Sequence, residues 1–304
     1  MFEYKNGNAI IKIASDGTRS VEYTDNELKL DYPLNIDIRV SNRCSFGMKA
    51  DGSLGLCTFC HEEAKVDGKE CNYKILKNKL DELPKHIELA IGANFISDEF
   101  VDFLQWCKSK EFICNLTINQ GHLKRDIFKL LELIENKLIY GLGISYRGSL
   151  NWNVPQEILD YEHTVFHVIM GIDTFDEVML LKNKGVKKVL ILGEKDFGFN
   201  SGRVDLKSLN HKQWKWWVFK LFDQFNVVSF DNLALEQLIL QRFFTKKEWD
   251  LIYQEENSFY INAVDGYLSL SSRSEFKVDW DAITLTNYFK IRNDNEKTNT
   301  KTYN

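Results

Sequence analysis

The chain has little of what would mark several large protein classes. Its 39 Lys and Arg against 44 Asp and Glu leave a net charge of −5, so it lacks the basic surplus that binding a long nucleic-acid backbone requires. No apolar run approaches the roughly 18 uninterrupted residues of a membrane helix, and the start, MFEYKNGNAI, shows no cationic segment leading into an apolar one. These absences predict a cytoplasmic chain with no membrane partner. Three prolines exclude a proline-rich linker, and neither a Walker loop nor a Gly-x-Ser-x-Gly elbow occurs. Gly141-x-Gly143 lies inside a strand-like run and does not open a helix, which removes a dinucleotide fingerprint. What is present is an ordinary globular composition over 304 residues, 44% hydrophobic, 13% aromatic and 27% charged, enough to bury a full core.

The organisation reads as an α/β fold. Runs at 9–14 and 19–23, joined by Ser15-Asp16-Gly17-Thr18, predict an N-terminal hairpin over residues 1–32. From Pro33 onward, strand-like runs at 35–41, 87–92, 112–119, 139–146, 164–171 and 188–193 alternate with helical stretches such as that carrying Phe100, Phe103, Leu104 and Cys107. Six βα units over 33–230 are the simplest arrangement. A C-terminal α/β extension over 231–292 carries a hairpin around Asp265-Gly266, and a polar, flexible tail is expected over 293–304. On one long helical face Trp214, Trp217, Val218, Leu221, Phe222 and Phe225 predict core packing, with Trp216 opposite and available to a partner.

The strands carry an unusual alternation. Ile36, Ile38 and Val40 alternate with Asn35, Asp37, Arg39 and Ser41; Leu116 and Ile118 alternate with Asn115, Thr117 and Asn119; Leu142 and Ile144 alternate with Gly141, Gly143 and Ser145. Parallel strands covered on both sides read as continuous apolar runs, and closed barrels fill their interiors with bulky branched residues. A polar, small-residue face predicts an open interior filled by a ligand.

The most informative segment follows the first of these strands: Asn42-Arg43-Cys44, twelve intervening residues, then Cys57-Thr58-Phe59-Cys60-His61. Three thiolates in a glycine-containing loop after a parallel strand can converge on an iron–sulfur cluster and leave one iron open. The segment resembles the cluster loop of the radical S-adenosylmethionine (radical SAM) superfamily, Cys-x3-Cys-x-aromatic-Cys. Cys57-Thr58-Phe59-Cys60 matches its second half, whereas the first gap is enlarged and Met48 stands where the second cysteine falls. At the end of the second strand Ala90-Ile91-Gly92-Ala93-Asn94 occupies the place of the family's Gly-Gly-Glu-like SAM motif, without its acid.

This resemblance implies a partial (β/α)6, TIM-like open barrel in which Cys44, Cys57 and Cys60 hold a [4Fe–4S] cluster. It implies reductive cleavage of SAM to a 5′-deoxyadenosyl radical that abstracts hydrogen from a small-molecule substrate, with deazaguanine-type chemistry one option. An electron donor such as flavodoxin or ferredoxin is then required. SAM contacts are expected from Phe59, Gly92, Ala93, Asn94, Asn119, Gly143 and Ser145, with Gly143 and Ser145 leaving volume for it. Substrate contacts are expected from Tyr146, His167 and Lys195, while a core role for His167 and a solvated charge run at Glu194-Lys195-Asp196 are the plainer alternatives. Glu62 and Glu63 read as a charge feature at a helix start. The competing reading of the thiols is a zinc-stabilised binding protein using Cys44, Cys57, Cys60 and Cys71. Cys107 and Cys114 fall on a helix face and a strand and are expected in the core.

Overall fold

The computed structural model describes residues 2–15, 17–25, 27–253 and 257–291; the tail expected over 293–304 lies outside them. Fourteen strands and eight α-helices follow one another along these residues. Strands β1 (Phe2–Asn6), β2 (Ala9–Ile13) and β3 (Arg19–Tyr23) form an antiparallel sheet of their own. The predicted hairpin therefore gains a strand, because Phe2–Asn6 pairs with β2 through a tight turn at Gly7, whose φ is +61°. Ala9, Ile11 and Leu34 form a small core beneath it.

The main sheet is built from β4 (Asn35–Arg39), β6 (Glu88–Gly92), β7 (Ile113–Asn119), β8 (Gly141–Ser145), β9 (Thr164–Ile169), β10 (Lys188–Leu192) and β11 (Val227–Phe230). β5 (Arg43–Met48) stands outside it, tied to Lys65 by isolated bridges. These seven strands lie side by side in chain order, all parallel. Between and after them run α1 (Tyr73–Leu80), α2 (Asp98–Ser109), α3 (Leu123–Glu135), α4 (Gln156–Asp160), α5 (Phe175–Met179), α6 (Leu209–Trp217), α7 (Asn232–Gln237) and α8 (Lys246–Ile252). The C-terminal extension joins this sheet. β12 (Ser258–Asn262) pairs parallel to β4, and β13 (Tyr267–Ser269) and β14 (Val278–Asp279) extend the edge antiparallel. The fold is thus mixed α/β around one large, mostly parallel ten-stranded sheet.

Local sequence explains the elements. In α2, Ser97 accepts from the Phe100 N–H at 3.1 Å, Asp98 and Glu99 complement the helix N-terminus, and Phe100, Phe103, Leu104 and Cys107 recur on one buried face. That face packs on Leu89, Ile91, Leu116 and Ile118, which belong to the same core; each such fully buried side chain contributes about 1.5–3 kcal/mol. The strand alternation predicted from sequence is real: Ile36, Ile38, Leu89, Ile91, Leu116, Ile118, Ile144 and Val168 are buried against the helices. The opposite face carries three cross-strand rows: Asp37–Ala90–Asn115–Gly141, Arg39–Gly92–Thr117–Gly143–Val165, and Asn119–Ser145–His167–Leu190.

That polar face is concave. In a flat sheet five inter-strand steps would hold β4 and β10 about 24 Å apart. Yet Asp37, inside β4, feels the charges of Lys195, just past β10, and of Asp231, just past β11. The sheet therefore curls with its polar rows inward, while its edges β11 and β14 remain unpaired with each other, so no closed barrel forms among the described residues. The N-terminal sheet lies at one end of this concavity. Arg19 bonds Glu88 at 2.8 Å, the Tyr140 hydroxyl donates to the Ala14 carbonyl at 2.8 Å, and Phe2 meets the Tyr140 ring edge-on. Glu88 and Tyr140 sit at strand beginnings, so the strand C-terminal ends and their loops form the other end. No helix among the described residues is long and apolar enough to cross a membrane.

Candidate functional site

The cysteine loop folds back on β5. The Cys57 N–H reaches the Phe46 carbonyl at 3.4 Å and the Cys60 N–H reaches the Cys57 carbonyl at 3.1 Å. Gly55 permits this approach: a Cβ there would stand 2.3 Å from the Phe46 carbonyl oxygen. The twelve-residue gap between Cys44 and Cys57 is thereby closed in space, and Cys44, Cys57 and Cys60 feel one another's charge. Burial pushes all three thiols up, Cys44 to about 11; neighbouring thiolates add to the shift at Cys44 and Cys57, and Glu62 adds to it at Cys60. Without a positive centre to bind, the three therefore stay protonated and neutral near pH 7.

Polar groups face these sulfurs. His122 Nε2 lies 3.4 Å from Cys44 Sγ and Nδ1 lies 3.2 Å from Ser45 Oγ, while the His122 ring stacks on Phe46. Asn119 Nδ2 points at Cys57 Sγ from 3.9 Å. Arg147 lowers the cost of a Cys57 thiolate by charge and by hydrogen bonding, and its guanidinium lies 4.6 Å over the Phe59 ring. Behind Arg147 stands Asp173, 3.7 Å away and almost fully buried, which burial raises to about 6 although Arg147 and the Ile169 N–H oppose the shift. A cleft of about 140 Å³ between Arg43, Phe95 and Arg125 also opens onto Cys44.

The other cysteines separate from this group. Cys71 donates its N–H to the Val40 carbonyl at 2.7 Å and sits in the core beside Glu70 and Tyr73; burial raises its thiol to about 12 with no contribution from the other three. Cys107 and Cys114 are core residues that adjoin each other, as expected. Among the described residues, no three His, Cys, Asp or Glu converge tightly enough to grasp one metal ion. A [4Fe–4S] cluster asks for something different, since each thiolate takes its own iron. Three thiols in one neighbourhood, with Arg147 and Asn119 turned toward a sulfur, fit that demand.

The residues expected to hold SAM are only partly free to do so. Above Gly92 there is open space: a Cβ at that position would meet nothing within 4 Å. Asn94 accepts the Asn119 N–H at 3.0 Å through its side chain, and Asn119 in turn caps the Gly121 N–H at 2.9 Å. Ala93 donates to the Thr117 carbonyl. Gly143 does not leave empty volume: a Cβ there would stand 2.6 Å from His167 Cε1 and 2.8 Å from Thr117 Oγ1. The glycine makes room for the His167 ring, whose imidazole burial and Arg147 together push down to about 4. Ser145 lies beside Asn119 and His167 on the concave face, whereas Tyr146 is buried on the opposite, core face and is not brought to the site.

Lys195 reaches a second polar group. Its Nζ lies 3.1 Å from His61 Nε2 and donates to Ser272 Oγ at 2.8 Å, with no carboxylate within ion-pair distance among the described residues. Glu62 does not start a helix, since α1 begins at Tyr73. It pairs instead with Arg39 Nε at 2.9 Å and His61 Nε2 at 3.1 Å and accepts from the Tyr260 hydroxyl at 3.2 Å. Burial works against its charge, yet His61, Arg39 and Lys195 hold its carboxyl down at about 2. Asp37 is exposed to water, yet the protein around it raises its carboxyl to about 6. Asp37 thus lines the water-accessible concave face of the sheet. Glu194, beside Lys195, is buried: Asn200 Nδ2 donates to it at 3.1 Å and His211 Nε2 lies 3.2 Å away.

Comparison with protein-family models, with curated proteins and with solved structures returns no match. The chemistry is therefore carried by the site alone. Sequence reasoning missed Arg147, His122, Asp37 and Arg39. Asp37 and Arg39 were visible as polar members of the first strand's alternation, whereas nothing in the sequence joins Arg147 to Phe59 or His122 to Cys44.

Proposed function

We propose that the chain is a radical SAM enzyme whose Cys44, Cys57 and Cys60 hold a [4Fe–4S] cluster at the C-terminal ends of a partial, TIM-like (β/α) barrel. The observation that carries this reading is the gathering of these three thiols, and of no other cysteine, at the end of the concave face, where Asn119 reaches Cys57. When bound, the cluster supplies one-electron cleavage of SAM, from which a 5′-deoxyadenosyl radical takes hydrogen from substrate. The chain's own residues position and shield. Arg147 holds Phe59 and Cys57 in place, and Asn119 steadies a sulfur while capping the turn at Gly121. Gly92 admits the nucleoside or methionyl portion of SAM to the concave face, and His167, kept neutral, walls it on the far side.

Further along the concavity, Lys195 offers an ammonium without a direct carboxylate partner among the described residues, next to His61 and Ser272, and Asp37 offers an acceptor. These groups suit a small polar substrate carrying an anionic group, with flavodoxin or ferredoxin as the electron donor. Anaerobic reconstitution with iron and sulfide, followed by reduction in the presence of SAM, is expected to release 5′-deoxyadenosine. A colourless chain that holds stoichiometric zinc and leaves SAM intact would replace this reading with the zinc-stabilised binding protein.

A further inference from the structure

We propose that two copies of this chain associate about a two-fold axis through the free edge of β11, with the aromatic rings beside that edge packing against their counterparts. The long amphipathic helix read from sequence does not run its full length. α6 ends at Trp217 and the chain tightens into a 3₁₀ segment over Val218–Asp223. Three residues per turn eclipses positions three apart, so Phe219 and Phe222 stack at 6.3 Å on one outer ridge. Phe222, expected in the core, is therefore 52% exposed, and Phe219 is 47% exposed. Phe243 meets Phe219 edge-on at 4.8 Å and is 51% exposed, and Trp216 is 65% exposed. Phe222 also touches Phe230, on β11, at 6.2 Å, which carries the patch to the sheet edge.

At about 200 Å² per aromatic side chain, the exposed parts of the three joined rings, Phe219, Phe222 and Phe243, amount to roughly 300 Å². That is at the lower end of the range of the largest apolar patch of a typical monomer, and such patches are often functional; it is less than half of the ~800 Å² a stable partner buries. The strand edge is the second contribution, and a copy of this chain is complementary to it. Val227 and Asp231 turn their N–H groups to Lys187 and Ile191 across β10. Val228 and Phe230, which lie between them, therefore point their N–H and C=O groups outward, where no further strand lies among the described residues. An antiparallel neighbour with two outward residues in the same spacing satisfies both. A second β11 provides that: Val228 pairs with the copy's Phe230 and Phe230 with its Val228, which sets Ser229 opposite itself. A two-fold, self-complementary contact of this kind is the commonest oligomeric arrangement.

Sedimentation of the full chain at tens of micromolar is expected to give twice the chain mass, and the double substitution Phe219→Glu with Phe243→Glu is expected to give one chain mass with an unchanged far-ultraviolet circular dichroism spectrum. Residues opposite each other in a non-hydrogen-bonded antiparallel pair stand about 4.5 Å apart at Cα, within disulfide range. Ser229→Cys is thus expected to cross-link two chains under mild oxidation, whereas Ser20→Cys on exposed β3 and the unsubstituted chain are not. A wild-type monomer throughout the concentration range, a charged double variant that stays dimeric, or cross-linking no greater at 229 than at 20 would each overturn the proposal.

Discussion

Single side chains divide the six cysteines into two kinds. Replacing Cys44, Cys57 or Cys60 with Ala is expected to remove iron from the reconstituted protein, because each deletes a thiolate from the gathered set. Cys107→Ala and Cys114→Ala are expected to keep the iron and to cost less than the ~2–5 kcal/mol of a Leu-sized core truncation; iron content together with urea midpoints checks both halves. The histidine at the floor of the concavity makes a pH prediction. His167 titrates near 4 in the folded chain and near 6.5 when unfolded. Between those values the unfolded state binds the extra proton, so the contribution of His167 to folding stability falls as pH drops from about 6.5 toward 4, whereas Asp37 and Asp173, raised to about 6, contribute in the opposite sense. His167→Gln is expected to remove that one contribution while His122, also held near 4, keeps its own, and the difference between the urea stabilities of the two chains across the window would show it; a difference that does not change with pH would contradict the assignment to His167.

Elements explain both what the sequence disclosed and what it withheld. The polar and apolar faces of β4, β6, β7 and β8 were legible because a strand's side-chain period is two and does not depend on its partners. That β12 inserts beside β4 was not legible, since pairing between residues more than two hundred positions apart leaves no local mark. Phe222 was misplaced for a related reason: a helical face drawn at 3.6 residues per turn fails where the chain tightens to three. The cysteine loop stands out as one constellation because its glycines announce a return, while Arg147, which acts by stacking on Phe59, announces nothing. Glycines on the concave face give the prediction at this scale. Gly92→Ala meets no atom within 4 Å and is expected to leave the melting temperature unchanged, whereas Gly143→Ala drives into His167 and Thr117 and is expected to lower it. Differential scanning calorimetry distinguishes them, and on the proposed function Gly92→Leu should also weaken SAM binding without loss of iron.

The molecule as a whole is a curled sheet with one end covered by β1–β3 and the other carrying the cysteine loop, Arg147 and Lys195. Its proposed chemistry depends on that asymmetry, because the curl turns the polar rows inward and the covered end leaves the strand C-termini for the proposed site. The gathered thiols are the feature on which the account stands. The most direct measurement is iron and acid-labile sulfide per chain, with the electron paramagnetic resonance spectrum of the dithionite-reduced protein, after anaerobic reconstitution. About four irons and four sulfides with a reduced-cluster signal are predicted, the signal changing when SAM is added. A colourless protein with no sulfide, or full iron loading in a chain that lacks Cys44, Cys57 and Cys60, would contradict the account.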